Sequence, residues 1–485
     1  MTRVRFAPSP TGYLHQGNIR TALFNYLFAR QQGGKFILRI DDTDRERSKP
    51  EFEESISHDL HWLGIECDEG PANPGSCGPY RQSERESIYE KYLTQLRETG
   101  RVYPCYCTPE ELEAERRRAI MTGVTFRYRG KCRDLTAGER EAKEAQGIKP
   151  SYRFRVEPQV IKFDDLVYGE KTFDTAVMGD FVIARSDGGP LYLFASAIDD
   201  ALMEISHVIR GEDGLSNAPR QILIQQTLGF SVPQFAHLPL ILGPDHTLLS
   251  KRNGSASVAE LRDKGYLPEA LINYLALLGW SPPAGRDILD RDTLVQLFNI
   301  NKVGRSSAVF DWGKLNHINQ VYLRRLPQER YLALAHEAIR EVKPGLEGFS
   351  AEQIDTTLMA LRNNVQTLGE IPGWLSLLLG EPKVTTPEAQ EALKGPDAEK
   401  VLKTAVALLQ EKQGEFDADG YEKFIEQLKS KSRQKGKKLF MPIRVALTGG
   451  TEGPELANLF ASLGRDKILE RIIHASENLQ HQEPQ

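Results

Sequence analysis

The sequence predicts an α/β protein with a doubly wound parallel sheet, an insertion in that sheet, and an all-α region after it. Three observations carry this. Over the first 70 residues, short apolar runs alternate with stretches of 3.6-residue periodicity, as strands joined by crossover helices do. After about Pro327 apolar residues return only at three- and four-residue steps, the signature of helices with one buried face. The chain has 485 residues, more than one core usually organises, so several domains are expected.

The elements follow in order. Val4-Arg5-Phe6-Ala7 is the first strand, and Pro8, Pro10 and Gly12 hold the next stretch out of helix. Ile19, Ala22, Leu23, Tyr26 and Leu27 lie at helical spacing until Gly33-Gly34 ends the run. Lys35-Phe36-Ile37-Leu38-Arg39-Ile40 reads as a short buried strand, and Leu60, Trp62, Leu63 and Ile65 close a second helical pattern. The sheet is therefore Rossmann-like, although no GxGxxG follows its first strand and the dinucleotide fingerprint is absent. Between Pro71 and Gly189 the rhythm changes to turns, a charged helix near Glu110 to Ala119, and alternating strands such as Tyr152-Arg153-Phe154-Arg155-Val156. Tyr192-Leu193-Phe194-Ala195 and the run from Ile205 to Ile209 read as strands that resume the sheet. Farther on, Ile354, Leu358, Leu361, Val365 and Leu368 mark one helix, and Val401, Leu402, Ala405, Leu408 and Leu409 another. Pro454 is expected to open a further helix and Gly464 to end it. The expected division is 1–80 and 190–245 for the two halves of the sheet, 81–189 for the insertion, 246–327 for a loop and helical segment, and 328–385 and 386–485 for two helical domains.

Composition narrows the function classes. Forty per cent apolar and 27 per cent charged is ordinary for a soluble chain, and a formal net charge of -5 excludes a uniformly basic nucleic-acid coat while leaving room for one basic face. No apolar run approaches the roughly 20 residues of a membrane helix, and with strand-like residues already at Val4 no secretory leader is expected. Five cysteines, three of them clustered, suit a reducing, cytoplasmic setting better than a disulfide framework.

Two polar words stand out. Pro8-Ser9-Pro10-Thr11-Gly12 leads into His15-Gln16-Gly17-Asn18 at the start of the first helix. Leu248-Leu249-Ser250-Lys251-Arg252-Asn253-Gly254 stands more than two hundred residues later, after Pro239-Leu240-Ile241-Leu242-Gly243-Pro244. Alone, the first reads as a capped helix start with an incidental histidine, and the second as a solvated basic turn. As a pair they suit a nucleoside triphosphate. A helix N-terminus carries unpaired N–H groups and partial positive charge, and an imidazole there can donate to a phosphate oxygen. Gly17 lets a flat ring approach the backbone, and a lysine on a loop can follow a departing pyrophosphate as a point charge.

Together the two words resemble the HIGH-type and KMSKS-type signatures of class I aminoacyl-tRNA synthetases. Arg5-Phe6-Ala7-Pro8-Ser9-Pro10-Thr11-Gly12, Arg39-Ile40-Asp41-Asp42-Thr43-Asp44-Arg45, Gly78-Pro79-Tyr80-Arg81-Gln82-Ser83-Glu84-Arg85 and Val208-Ile209-Arg210-Gly211-Glu212-Asp213 narrow the resemblance to bacterial-type glutamyl-tRNA synthetases. Leu267-Pro268-Glu269-Ala270-Leu271-Ile272-Asn273-Tyr274-Leu275 and Pro442-Ile443-Arg444-Val445-Ala446-Leu447-Thr448-Gly449 extend it over nearly the whole chain. Leu248 stands where the family usually has the first lysine of the second word.

The resemblance implies ligation of L-glutamate to tRNA(Glu) through a glutamyl-adenylate, with ATP and Mg2+, tRNA present during activation, and transfer to the 2′-hydroxyl of the terminal adenosine. It implies His15 and Lys251 as catalytic groups; His15, Gly17, Asn18, Ser250, Lys251 and Arg252 about ATP; and Arg5, Ala7, Ser9, Asp41, Tyr192 and Arg210 about glutamate. Two substrate carboxylates call for guanidinium forks, Asp41 would meet the α-ammonium, and Arg210 would face the side-chain carboxylate and disfavour neutral glutamine. Cys105, Cys107 and Cys132 would supply thiolates to Zn2+, with Asp134 as fourth ligand and Tyr128 as the other candidate. The insertion, with Arg116-Arg117-Arg118 and Arg127-Tyr128-Arg129-Gly130-Lys131-Cys132-Arg133, would hold the tRNA acceptor end by phosphate contact and base stacking. The basic run Lys429, Lys431, Arg433, Lys435, Lys437 and Lys438 falls in the anticodon-reading region, and Arg362-Asn363-Asn364-Val365-Gln366 is a place to seek the determinant of whether tRNA(Gln) is also charged. The expected assembly is a monomer without membrane attachment. The rival reading is a catalytically weak or inactive paralogue that only binds tRNA.

Overall fold

The structure is a computed structural model that describes residues 1–249, 255–341, 349–380, 382–411 and 418–480. The chain divides into two compact units, Met1–Glu260 with Leu271–Trp312, and Leu261–Ala270 with Gly313–Gln485.

The first unit begins with strand β1 (Arg3–Phe6), helix α1 (Gln16–Gln31) and strand β2 (Lys35–Leu38). β1 and β2 pair in parallel with Arg3 opposite Lys35 and Phe6 opposite Leu38, so α1 is the crossover. Helices α2 (Pro50–Trp62) and α3 (Glu86–Glu98) follow. The insertion contributes β3 (Val102–Cys105), α4 (Pro109–Met121), α5 (Ala137–Ala145), β4 (Ser151–Phe154), β5 (Val160–Asp165), β6 (Gly169–Asp174) and β7 (Phe181–Ala184). The sheet then resumes through α6 (Tyr192–Leu202), β8 (His207–Gly211), α7 (Ala218–Thr227) and β9 (Gln234–Leu238).

β8 and β9 pair in parallel, and Ser206 N donates to Arg3 O at 2.9 Å, which lays β8 beside β1. The order is thus β2, β1, β8, β9, with β2–β1 and β8–β9 paired in parallel. β5 joins the far edge of β9 through Asp165 and Phe235, and β6 returns antiparallel to β5. β3, β4 and β7 form a separate antiparallel sheet. Ile37, Phe154, Phe194, Ile198, Val208, Ile222 and Phe235 meet in one buried cluster that ties the insertion to the parallel sheet.

Tyr192-Leu193-Phe194-Ala195 is helix, not strand. A short, fully apolar run carries no periodicity that separates the two states. Here it continues through Ala197 and Ala201 to Leu202, and alanine favours helix. The expected strand over residues 35–40 stops at Leu38, and the helix expected from Glu110 runs from Pro109, capped by Thr108 and Glu111.

In the second unit, every regular element among the described residues from Gln328 onward is helical, including Ala351–Leu361, Pro396–Glu411, Ala418–Ser432, Lys437–Thr448 and Leu456–Gln480. Val401, Leu402, Ala405, Leu408 and Leu409 are all buried, as their spacing predicts. Val365 and Leu368 are buried too but lie beyond the helix that ends at Leu361. Pro454 precedes the last helix by two residues, and Gly464 breaks that helix with φ 72 and ψ 163.

Candidate active site

The first word caps α1. His15 sits at the N-cap in extended conformation, Gly17 N donates to His15 Nδ1 at 3.1 Å, and His15 N donates to Asn18 Oδ1 at 3.3 Å. The cap fixes the tautomer. Because Nδ1 accepts, the proton of the neutral ring lies on Nε2, which is left as a donor. Desolvation holds the imidazole below the usual histidine range and so favours that neutral form. A Cβ at Gly17 would lie 3.1 Å from His15 Cε1 and 3.2 Å from Nδ1, so the missing side chain makes room for the His15 ring itself.

Ser250, Lys251 and Arg252 lie outside the described residues. The residues flanking them are anchored. On one side, Gly243 N donates to Thr247 O at 2.8 Å and Leu249 N to Ile241 O at 3.2 Å. Leu248 bridges Leu242 and is 60% exposed. On the other side, Ser255 Oγ donates to Gln16 Oε1 at 3.1 Å, Val258 N to Leu14 O at 3.2 Å, and Ser257 bridges His15. The chain that leaves the second word therefore lies directly on the first.

Beneath this lies a buried charge cluster. Arg5 Nε donates to Asp200 Oδ1 at 3.0 Å, and Arg39 Nη1 donates to the same oxygen at 2.6 Å. Arg39 also donates to Asp41, from Nε to Oδ1 at 2.7 Å and from Nη2 to Oδ2 at 3.3 Å. Arg85 Nε, Gln82 Nε2 and the Tyr89 hydroxyl all donate to Asp199. Burial alone would raise every carboxylate here. It raises Asp41 to about 6 although Arg39 opposes it, whereas Arg5 and Arg39 outweigh burial at Asp200 and hold it low. Arg5 and Asp41 are thus brought together through Arg39 and Asp200, with Asp41 set against Arg39 and Arg5 against Asp200.

Arg210, at 8% exposure, completes the cluster and feels the positive charge of Arg5 and the nearby phenol of Tyr192. Its Nε donates to His237 Nε2 at 3.1 Å and its Nη2 to Gly214 O at 2.9 Å, while Nη1 has no hydrogen-bond partner among the described residues. A Cβ at Gly214 would fall 2.5 Å from Arg210 Nε, so only glycine admits the guanidinium there. Tyr192 opens α6 and is 38% exposed. Ser9 is exposed and Ala7 half-buried on the segment that leaves β1. Arg5, Arg39 and Arg210 against Asp41 and Asp200 leave one net positive charge, the complement of a dicarboxylate that carries one ammonium. That arrangement can hold an acidic amino acid, and the N-terminus of α1 can meet an anion.

The cysteines come together as well. Ligand atoms of Cys105, Cys107 and Cys132 lie within 4.8 Å of one another. The Tyr128 hydroxyl is 3.6 Å from both Cys105 Sγ and Cys107 Sγ and accepts from Cys132 N at 2.9 Å. Asp134 is not brought to them. Its carboxylate is 83% exposed and 3.5 Å from Arg155 Nη2, because the turn after Cys132 points it outward to that guanidinium. Tyr128 is buried under Arg153, whose Cζ stands 3.8 Å from the ring centroid, so it is not placed to stack on a base. Arg116 and Arg117 pair with Glu113, Lys131 with Glu111 and Arg133 with Glu157 on the insertion's surface. Arg362 donates to the carbonyls of Leu323, Arg324 and Leu326, a structural tie.

Sequence reasoning did not single out Arg39, Asp165, Asp199, Asp200 or His237 as site residues. A signal existed for the aspartate pair, since two carboxylates follow the apolar run Leu193-Phe194-Ala195-Ser196-Ala197-Ile198 without a turn residue between. None existed for His237, whose partners come from strands distant in sequence.

A parallel sheet interrupted by an insertion, with a capped helix terminus and a charged pocket beside its first strand, defines an α/β enzyme that joins an acidic substrate to a phosphate-bearing one. The chain belongs to the class I tRNA synthetases for E and Q, whose catalytic domain matches residues 1–317, and an anticodon binding domain matches residues 331–476. It is 46% identical to a protein named glutamate--tRNA ligase 2 of Syntrophus aciditrophicus over 471 residues, covering 97% of this chain and 96% of that one. It is 46% identical to glutamate--tRNA ligase of Sulfurihydrogenibium sp. over 479 residues, covering 97% and 98%. A crystal structure of a glutamate tRNA ligase from Elizabethkingia meningosepticum in complex with its amino acid superposes with a TM-score of 0.87, at 33% identity and 99% coverage of both chains.

Proposed function

We infer that this chain ligates L-glutamate to tRNA(Glu) at the expense of ATP, forming glutamyl-adenylate and then glutamyl-tRNA, with AMP and pyrophosphate released. The observation that carries this is the net positive pocket of Arg5, Arg39 and Arg210 beside a helix terminus capped by His15. Glutamate enters with its side-chain carboxylate on Arg210 and its ammonium on Asp41, and Arg5 adds to the positive field around the carboxylates. Its α-carboxylate attacks the α-phosphorus of ATP, the bond to pyrophosphate breaks, and an acyl-phosphate bond forms. Charge on the phosphoryl oxygens then meets the α1 terminus and the Nε2–H of His15. Mg2+, when bound with ATP, neutralises part of the triphosphate charge. Lys251 grips the departing pyrophosphate. It stands four residues before Ser255, a length of chain that spans at most about 14 Å. Leu248 removes one charge from that loop and leaves Lys251 with the main role.

The inactive-paralogue reading is disfavoured, because the relatives that match nearly the full chain are named ligases. Charging of tRNA(Glu) and tRNA(Gln) side by side, with glutamate-dependent pyrophosphate exchange in the presence and absence of tRNA, tests the function. We expect exchange only with tRNA present, and no exchange under any condition would overturn the reading. Cys105, Cys107, Cys132 and Tyr128 fit a structural zinc, which would cross-link the insertion without entering the reaction. Metal analysis of the purified protein should find about one zinc per chain, and Cys107→Ser should remove it and lower Tm; an equal zinc content in that variant would sink the site.

A further inference from the structure

We propose that Asp165 and His237 are positioning residues that fix which edge of Arg210 is offered to substrate, and so set the preference for glutamate over glutamine without touching either. This deepens the reading of Arg210 as the partner of the side-chain carboxylate and rests on it.

The three residues stand on adjacent strands. Arg210 of β8 lies directly opposite His237 of β9 in the parallel register, so their side chains share a face of the sheet. Asp165 ends β5 opposite Phe235, two residues before His237. His237 and Asp165 are 0% and 1% exposed. His237 Nδ1 stands 2.6 Å from Asp165 Oδ2. Arg210 Nε can only donate, so His237 Nε2 must present its lone pair, and the ring proton must lie on Nδ1, where it donates to Asp165. The carboxylate is itself pinned. Its Oδ1 accepts from Val167 N at 3.0 Å and Tyr168 N at 2.9 Å, and its Oδ2 accepts from His237 N at 3.1 Å. The ordering therefore runs from a backbone turn through Asp165 and His237 to the guanidinium.

The consequence is stereochemical. The protein takes Nε and one N–H of Nη2, the latter through Gly214 O. What remains includes the fork at the far end of the guanidinium, one N–H of Nη1 with the second of Nη2, and the Tyr192 phenol stands close to the same guanidinium. Nη1 is buried and has no partner among the described residues. A carboxylate satisfies that fork with two acceptors, whereas a glutamine amide must turn one N–H donor against it. Rotation of the guanidinium would blunt this test of charge, and His237, together with the Gly214 carbonyl, prevents rotation.

Asp165→Asn probes the relay without changing shape. Its oxygen would stay on the Val167 and Tyr168 N–H groups and keep His237 N, which already lies 3.3 Å from Oδ1, so its NH2 would face the His237 ring. Nδ1 could then only accept, the ring proton would move to Nε2, and two donors would oppose each other at Arg210. His237→Leu removes the acceptor, and His237→Gln can restore an oxygen in its place. Full-length variants are assayed for tRNA-dependent pyrophosphate exchange with glutamate and with glutamine, with Tm and the KM for ATP recorded as controls. We expect Asp165→Asn and His237→Leu to raise the glutamate KM, and to narrow the glutamate-over-glutamine preference, by about tenfold or more, with the KM for ATP within about twofold. His237→Gln should recover most of the loss, and Asp165→Asn should add nothing in an Arg210→Ala background. If Arg210→Ala raises the glutamate KM while Asp165→Asn and His237→Leu, folded by Tm, leave KM and preference unchanged, the relay is wrong and the Arg210 assignment stands. If Arg210→Ala itself leaves them unchanged, the assignment beneath falls. A loss common to His237→Leu and His237→Gln that follows Tm and ATP KM equally would mark the pair as structural only and overturn the proposal.

Discussion

Two regions of this molecule rich in basic side chains differ in kind. In the first unit, Arg5, Arg39 and Arg210 are nearly or fully buried, and carboxylates, an imidazole or a carbonyl oxygen meet each guanidinium at 2.6–3.1 Å. In the helical unit, Lys431 pairs with Glu411 at 3.2 Å and Lys438 with Asp397 at 2.8 Å, with the lysine side chains 51% and 71% exposed. Burial makes the first region selective. A desolvated charge left without its partner costs about 3–5 kcal/mol, so a ligand that fails to complete the set is rejected. Exposure makes the second region adaptable, because water and salt screen each pair to about 0–1 kcal/mol, and a polyanion can exchange partners with little loss.

The largest expected effect breaks the buried side of this comparison. Arg210→Ala should lower kcat/KM for glutamate by about a hundredfold or more, the equivalent of about 3 kcal/mol, measured by pyrophosphate exchange with tRNA present. Retention of full efficiency would show that the side-chain carboxylate binds elsewhere. Next, His15→Ala and Lys251→Ala should each slow activation by at least about tenfold, near 1.4 kcal/mol at the transition state; unchanged rates in both would remove the phosphate contacts from the site. The third turns on acidity. Burial lifts Asp41 to about 6, so below that pH it gains a proton and loses its attraction for the α-ammonium. The glutamate KM should therefore be flat above pH 7 and rise by about tenfold per unit well below pH 6, and a KM constant down to pH 5 would detach Asp41 from the amino acid. The smallest effect belongs to the exposed side. Lys431→Gln with Lys438→Gln should raise the tRNA KM by about threefold and flatten its salt dependence by about one per lost phosphate contact, with the glutamate KM unmoved. A changed glutamate KM in that variant would erase the distinction between the two regions.

Much of the fold was legible because periodicity reports burial. The helix of Val401 to Leu409 declares which side faces the core, while the strand of Val4 to Phe6 and the helix of Ile19 to Leu27, buried on nearly every side, are betrayed by their length and apolar content. Tyr192 to Ala195 failed because four apolar residues in a row show no period, and its helical state goes with the packing of Phe194 and Ile198 farther along.

The sequence by itself determined the two polar words, the helix start at the first of them and the helical second unit, since each depends on residues a few positions apart or on a repeating pattern. Only the tertiary structure decided that Asp200 receives both Arg5 and Arg39, that Cys132 meets Cys105 and Cys107 with Tyr128 and not Asp134 beside them, and that Arg210 donates to His237. Those choices depend on which strands become neighbours and in what register. A charged side chain buried between them takes whatever partner that geometry presents, and no local pattern encodes it.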